Sequence, residues 1–150
     1  MPRVICDNER CLACRACEIA CAVQHSEAKT LAGALAESPL AAPRVRVSRL
    51  PEARGLPLRC MQCEEAPCVL ACMSGALQRD AKTGLVHHDA EKCVGCWMCV
   101  MVCPFGGVRA LPERKVVVKC DLCEGEETPA CVAACPTQAL SVDERDAEEG

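Results

Sequence analysis

The sequence is almost without aromatic side chains: one Trp, one Phe and no Tyr in 150 residues. Of the residues that count as hydrophobic, 22 are Ala and 17 are Cys, which leaves 37 larger apolar side chains. A chain of this length normally closes around a sizeable apolar core, so something besides side-chain packing has to fill part of the interior. No run approaches the ~18 consecutive apolar residues of a membrane-spanning helix. The formal net charge of −4 offers no basic field for nucleic acid or anionic lipid. The first ten residues, MPRVICDNER, contain neither an apolar leader core nor a small-residue cleavage site, so no secretory signal is expected. Substrate chemistry also lacks its usual carriers. There is no phosphate-binding glycine loop, no G-x-S-x-G turn and no His-carboxylate motif outside the cysteine framework.

What the chain does have is cysteine, beyond the roughly 8–10% at which composition signals a special framework. An odd count of 17 and the absence of a leader argue against disulfides, so reduced thiols and a cytoplasmic protein are expected. Sixteen of the seventeen fall into four groups of four. Two groups are tight and identically spaced: Cys11-x2-Cys14-x2-Cys17-x3-Cys21 and Cys93-x2-Cys96-x2-Cys99-x3-Cys103, the latter followed by Pro104. Two are looser: Cys60-x2-Cys63-x4-Cys68-x3-Cys72, and Cys120-x2-Cys123-x7-Cys131-x3-Cys135 followed by Pro136. The loose groups match over EAPCVLACMSGAL (65–77) and TPACVAACPTQAL (128–140), which points to duplication of a tight-plus-loose unit.

The tight spacing with a trailing Pro is the bacterial signature for 4Fe-4S clusters, in which three thiolates of a group hold one cluster and the fourth reaches a neighbouring one. A C-x2-C-x2-C loop wraps three corners of a cube, and the x3 step carries the last Cys one helical turn on. Sixteen thiolates make four clusters. At about −2 each with their thiolates, these would bring the holo chain to about −12, a charge that needs backbone dipoles or nearby cations. Gly95 is expected to let the chain pass close to a cluster. Structural zinc is the competing reading of four thiolates, but zinc ribbons pair two C-x2-C knuckles, not three cysteines in a row two apart.

Over Cys11 to Leu140, and above all through CMQCEEAPC (60–68), CVGCWMCVMVCP (93–104) and CDLC (120–123), the chain resembles the four-cluster ferredoxin-like electron-transfer subunits. These accompany molybdenum- or tungsten-pterin oxidoreductases, and small relatives attach to carbon monoxide dehydrogenase, hydrogenase and formate hydrogenlyase. The resemblance implies a small α+β fold: two ferredoxin-like dicluster modules with short β-hairpins and helices around the clusters. The inner module would cover about 51–108, the outer about 1–50 with 109–142, and 143–150 would form an acidic mobile tail. Spacing alone leaves sequential pairing open. The resemblance implies clusters held by Cys11, Cys14, Cys17 with Cys135; by Cys120, Cys123, Cys131 with Cys21; by Cys60, Cys63, Cys68 with Cys103; and by Cys93, Cys96, Cys99 with Cys72. Met73 departs from the family, standing where a Pro often follows the last Cys of the second group. Membrane-bound relatives carry a longer tail than the fifteen residues after Cys135, so the expected complex is soluble.

The implied function is a non-catalytic electron wire between a catalytic oxidoreductase subunit and an electron carrier or second subunit, such as a flavin-containing subunit or a ferredoxin. The favoured partner is a tungsten- or molybdenum-pterin enzyme of the aldehyde oxidoreductase type. The alternative is a carbon monoxide dehydrogenase, hydrogenase or formate hydrogenlyase. A structural zinc or redox-responsive interaction protein is the reading from another class. A wire with clusters near both ends could also associate head to tail.

The remaining residues receive plainer expectations. Cys6 reads as a buried structural thiol, and His87 and His88 as strand residues on opposite faces without a role in metal binding. Trp97, Met98, Met101, Met61 and Met73 are expected to sheath clusters. Arg44, Arg46, Arg49, Arg54 and Arg59 read as a solvated basic face where a partner could dock. Strands are expected at Val4-Ile5 and 44–50, and a helix from Ser26 to about Glu37. Hairpins are expected over 77–88, turning at 82–84, and over 107–119, turning near 112–114.

Overall fold

A computed structural model describes residues 2–144. Four two-stranded antiparallel sheets, five α-helices, the longest of nine residues, and one 3-10 turn (Pro51–Ala53) make up the regular structure among them. The chain runs β1 (Pro2–Cys6), α1 (Ala16–Gln24), α2 (Leu31–Ala36), β2 (Arg46–Arg49), β3 (Gly55–Leu58), α3 (Pro67–Leu70) and β4 (Leu77–Arg79). It continues through β5 (Val86–His88), α4 (Met98–Val102), β6 (Val108–Leu111), β7 (Val116–Lys119), α5 (Ala130–Ala133) and β8 (Leu140–Glu144). This is the small α+β ferredoxin-like arrangement.

Three sheets are hairpins, β2–β3, β4–β5 and β6–β7, and the fourth joins the two ends of the chain, with Val4 opposite Val142. An isolated two-stranded hairpin is marginal in water, so each needs something to pack on. Two cores supply it. One gathers Val4, Val45, Val47 and Leu140 with Cys17, Cys21 and Cys131. The other gathers Leu77, Val86, Val108 and Val117 with Cys68 and Cys99. The second core thus draws in Val117, past residue 108. The first takes α1 and α5 as neighbours and the second α3 and α4, so the tight group of each half packs against a loose one. Among the described residues only Val4, Val86 and Val117 are large side chains sealed off completely, and each core contains cysteines where an ordinary domain would place Leu or Phe.

Both later hairpins, 77–88 and 107–119, lie where expected, and β2 falls within the expected strand. The expected helix from Ser26 is shorter, starting at Leu31. Ser26 is occupied in closing α1: its hydroxyl donates to Val23 O (2.7 Å) and accepts from Lys29 N (3.0 Å). The new helix begins only after Thr30, whose side chain accepts from Gly33 N. Of the acidic tail, Asp143 instead belongs to β8 and pairs with Arg3 at 3.0 Å. The expectation for 145–150 lies outside the described residues.

Candidate metal centres

The four cysteine groups share one backbone device. The residue before the second Cys of each group has positive φ: Ala13 (55°), Gln62 (47°), Gly95 (68°) and Leu122 (58°). Such left-handed kinks turn successive backbone N–H groups inward, which forms a concavity suited to an anion. In the tight groups Arg15 and Trp97 are left-handed as well, immediately before α1 and α4 begin. The third Cys of every group is buried at the start of a short helix: Cys17 in α1, Cys68 in α3, Cys99 in α4 and Cys131 in α5. One turn later comes the fourth, where a backbone N–H from beyond the helix meets the sulfur. Arg44 N donates to Cys21 Sγ (3.2 Å), Leu77 N to Cys72 (3.4 Å), Gly107 N to Cys103 (3.3 Å) and Ala139 N to Cys135 (3.2 Å).

Three cavities are each lined by four cysteines, three from one group and one from another. Cys11, Cys14, Cys17 and Cys135 line one. Cys60, Cys63, Cys68 and Cys103 line the second, and Cys72, Cys93, Cys96 and Cys99 the third. The remaining four, Cys21, Cys120, Cys123 and Cys131, form a mutually interacting set in which the first three each push the Cys131 thiol upward. His25, Asp121 and Cys123 also present ligand atoms within 4.8 Å of one another. This trio overlaps the fourth thiol set and is not a separate centre.

The sets neighbour one another. Cys131 of the fourth set feels Cys17, and Cys120 of the same set feels Cys60. Through α3 and α4 the Cys60 set continues to the Cys93 set. Cys14 and Cys96, one in each end set, are the two exposed cysteines, whereas Cys21, Cys60, Cys123 and Cys131 in the middle sets are buried.

Burial pushes the Cys17 and Cys68 thiols up to about 11, and Cys120 and Cys131 to about 12. Cys72 and Cys135 go the other way. Burial is the largest single influence and raises them, but backbone N–H donors and the Ser74 or Thr137 hydroxyl together outweigh it and hold them below the ordinary thiol range. Donors of this kind favour the charged sulfur.

Several expectations need correction. Arg59 is not on a solvated face: it is 7% exposed, its guanidinium donating to Val4 O and Pro57 O, both at 2.8 Å. Burial lowers its pKa, and the surrounding Cys6, Cys131, Cys120 and Cys17 pull the other way. Arg44 is partly buried and paired with Asp121, while Arg46, Arg49 and Arg54 are exposed. Lys119, not singled out in the sequence, is 3% exposed and donates to Val86 O and to Cys120 O. These two buried cations place positive charge among the cysteine sets, Arg59 beside Cys131, Cys120 and Cys17 and Lys119 beside Cys68 and Cys120. The alternation of β7 put Lys119 on the same face as Val117, which is the one signal the sequence offered for it.

Met73 (95% exposed) and Met101 (81%) do not sheath a cluster: Met73 stands in the turn after α3, and Met101 on the outer side of α4. Met98 is also exposed, whereas Met61 and Trp97 do line cavities. A Cβ at Gly95 would meet Lys115 O at 2.6 Å, so the close approach there is to backbone of the β6–β7 turn. Cys6 sits half-buried against the first core, its thiol raised to about 11 by burial, by Cys11 and by a hydrogen bond to it. His87 faces Glu124 (3.5 Å), and His88 lines the Cys72/Cys93/Cys96/Cys99 cavity. Strand alternation places His88 on the face of Val86 and His87 on the opposite one.

The donor set fits the group. Four soft sulfur ligands around each similar cavity, in loops whose amides converge on it, match a 4Fe-4S cluster. Among the described residues no helix is long and apolar enough to cross a membrane. The family model for the 4Fe-4S dicluster domain matches residues 51–145. The chain is 39% identical over 153 residues to the electron transport protein HydN of Escherichia coli strain K12, covering 91% of this chain and 85% of HydN. It is 34% identical over 148 residues to the thiosulfate reductase electron transfer subunit PhsB of Salmonella typhi, covering 95% of this chain and 76% of PhsB. Among solved structures, a chain of the active site complex BamBC of benzoyl coenzyme A reductase superposes with a TM-score of 0.53. It is 26% identical, over 100% of this chain and 81% of that one.

Proposed function

Since the chain belongs to the 4Fe-4S dicluster family of iron-sulfur electron-transfer subunits of oxidoreductase complexes, we propose that it sets four clusters in one row between a catalytic subunit and an electron carrier. Each cluster, when bound, supplies one-electron exchange. Cys11, Cys14, Cys17 and Cys135 would hold one end of the row, and Cys93, Cys96, Cys99 and Cys72 the other. Between them lie the set of Cys120, Cys123, Cys131 and Cys21 and that of Cys60, Cys63, Cys68 and Cys103. The observation that carries this reading is the placing of the two exposed cysteines, Cys14 and Cys96, in the two end sets. An electron can then enter at one surface and leave at another.

Every other contribution comes from protein groups. The four backbone N–H donors to the last cysteines, with Arg59 and Lys119, stabilise negative charge at the sulfurs and raise potentials. Gln62 ties the halves together, its side chain donating to Cys120 O (2.9 Å) and accepting from Val86 N (2.9 Å). That link holds the Cys60 and Cys120 loops in register, where an electron would cross from one module to the other. Leu70, Met73, Val94 and Met101, which flank the cysteines of the second and third groups in the sequence, are each exposed, and we assign the catalytic subunit to them.

HydN favours a hydrogenase or formate hydrogenlyase type of partner over a tungsten aldehyde oxidoreductase, for which these relatives offer no support. PhsB and BamBC extend the same role to other reductases. A cytoplasmic location goes with this reading. The test is elemental analysis of the complex purified anaerobically from its native host. About sixteen iron and sixteen sulfide per copy of this chain, beyond those of the partner, are expected. Nickel would favour a hydrogenase-type partner, and tungsten or molybdenum a pterin enzyme. Zinc without sulfide would end the electron-transfer reading.

A further inference from the structure

His88 stands at the end of β5, opposite Leu77 across the hairpin. It lines the cavity formed by Cys72, Cys93, Cys96 and Cys99, and its Nε2 is buried without a hydrogen-bond partner. Among the described residues no other buried side-chain nitrogen or oxygen is left so. A buried donor in a folded protein has an acceptor, so an unpartnered one inside a cavity built of thiols points to what the cavity holds. Donors to the Cys72 sulfur are already in place: Leu77 N lies at 3.4 Å and the Ser74 hydroxyl at 3.6 Å. Apart from Ser74, the other side chains lining the cavity are apolar, among them Leu77, Val94, Trp97 and Val117.

We propose that His88 donates a hydrogen bond from Nε2 to a sulfur of the 4Fe-4S cluster held by Cys72, Cys93, Cys96 and Cys99, and thereby raises the potential of that end cluster. This rests on the ligand set proposed above. Reduction adds an electron to the cluster, and a donor aimed at its sulfur stabilises the more negative state. The opposite end has no counterpart: Arg15, Thr137 and apolar residues accompany its four cysteines, and no imidazole does. His88 therefore makes the two ends of the row different in kind, a neutral imidazole donor at the Cys96 end and the Arg15 guanidinium at the Cys14 end. It is a positioning and tuning residue, not an iron ligand.

The test is a potentiometric titration, followed by EPR, of the holoprotein and its His88→Phe and His88→Gln variants. In His88→Phe all four clusters should be retained while the potential of one shifts to a more negative value. His88→Gln, which keeps an N–H donor, should recover most of that shift. A purely structural role would not be rescued in this way. Pulsed EPR on wild-type protein carrying isotopically labelled histidine should show an imidazole nitrogen coupled to one reduced cluster. Unchanged potentials in a fully loaded His88→Phe variant would overturn the proposal, as would the absence of that coupling. If His88→Phe does not load its clusters, the labelled wild type decides alone. Failure of the ligand set itself would show differently, as a Cys96→Ser variant that keeps four intact clusters.

Discussion

Cys6 and Cys96 differ in what a serine would do at each. Cys6 is half-buried, touches the first core and lines none of the three cysteine cavities, whereas Cys96 is one of four sulfurs around an end site. Cys6→Ser should retain about sixteen iron per chain, and Cys96→Ser about twelve, by iron and sulfide analysis. Lys119 makes a third residue-scale prediction. Lys119→Met would leave Val86 O and Cys120 O without their donor, a loss of roughly 1–3 kcal/mol, read as a lower midpoint in thermal denaturation. The loss of the buried positive charge should also shift the potentials of the neighbouring clusters downward in a redox titration. Sequence spacing exposed all sixteen candidate ligands. It could not expose Arg59, Lys119 or His88, whose importance depends on which segments fold against them.

At the scale of elements, the C-terminal end of α1 is clamped to the loop of the last cysteine group. His25 Nδ1 donates to Cys21 O (2.7 Å), and its Nε2 meets Asp121 Oδ1 (3.1 Å), which Arg44 also engages. Burial alone would lower the histidine pKa, but the bonds to Asp121 and Cys21 win and raise it to about 9. Burial likewise would raise Asp121, and the bonds from His25 and Arg44 instead hold it well below the ordinary carboxylate range. A raised histidine contributes its full stability below its ordinary pKa and loses it as pH rises through the folded value. The stability advantage of the wild type over His25→Gln should therefore be largest in mildly acidic solution and be lost as pH rises toward about 9, measured by thermal denaturation across that range. Hairpins and strand β2 were legible because alternation and turn residues are local signals. The late start of α2 was not, because Ser26 can cap the end of one helix or the start of another and only packing chooses.

For the whole molecule, the two thin cores predict that clusters and fold are lost together. Metal binding and folding are coupled when a site's ligands supply much of the interior. Oxidative or chelator-driven cluster removal should abolish the visible absorbance and the far-UV circular dichroism in one transition. Survival of full secondary structure in the apoprotein would show that the side-chain cores suffice.

The number of clusters, their iron-sulfur nature and the electron-transfer role follow from the cysteine spacing, because ligand spacing is a local property that a chain carries before it folds. Which loose group sits against which tight one, which sulfurs reach the surface, and which cations lie among them were decided only by the packing of α1 on α5 and α3 on α4. Sequence separation does not encode distance: Cys17 and Cys135 line one cavity although most of the chain runs between them.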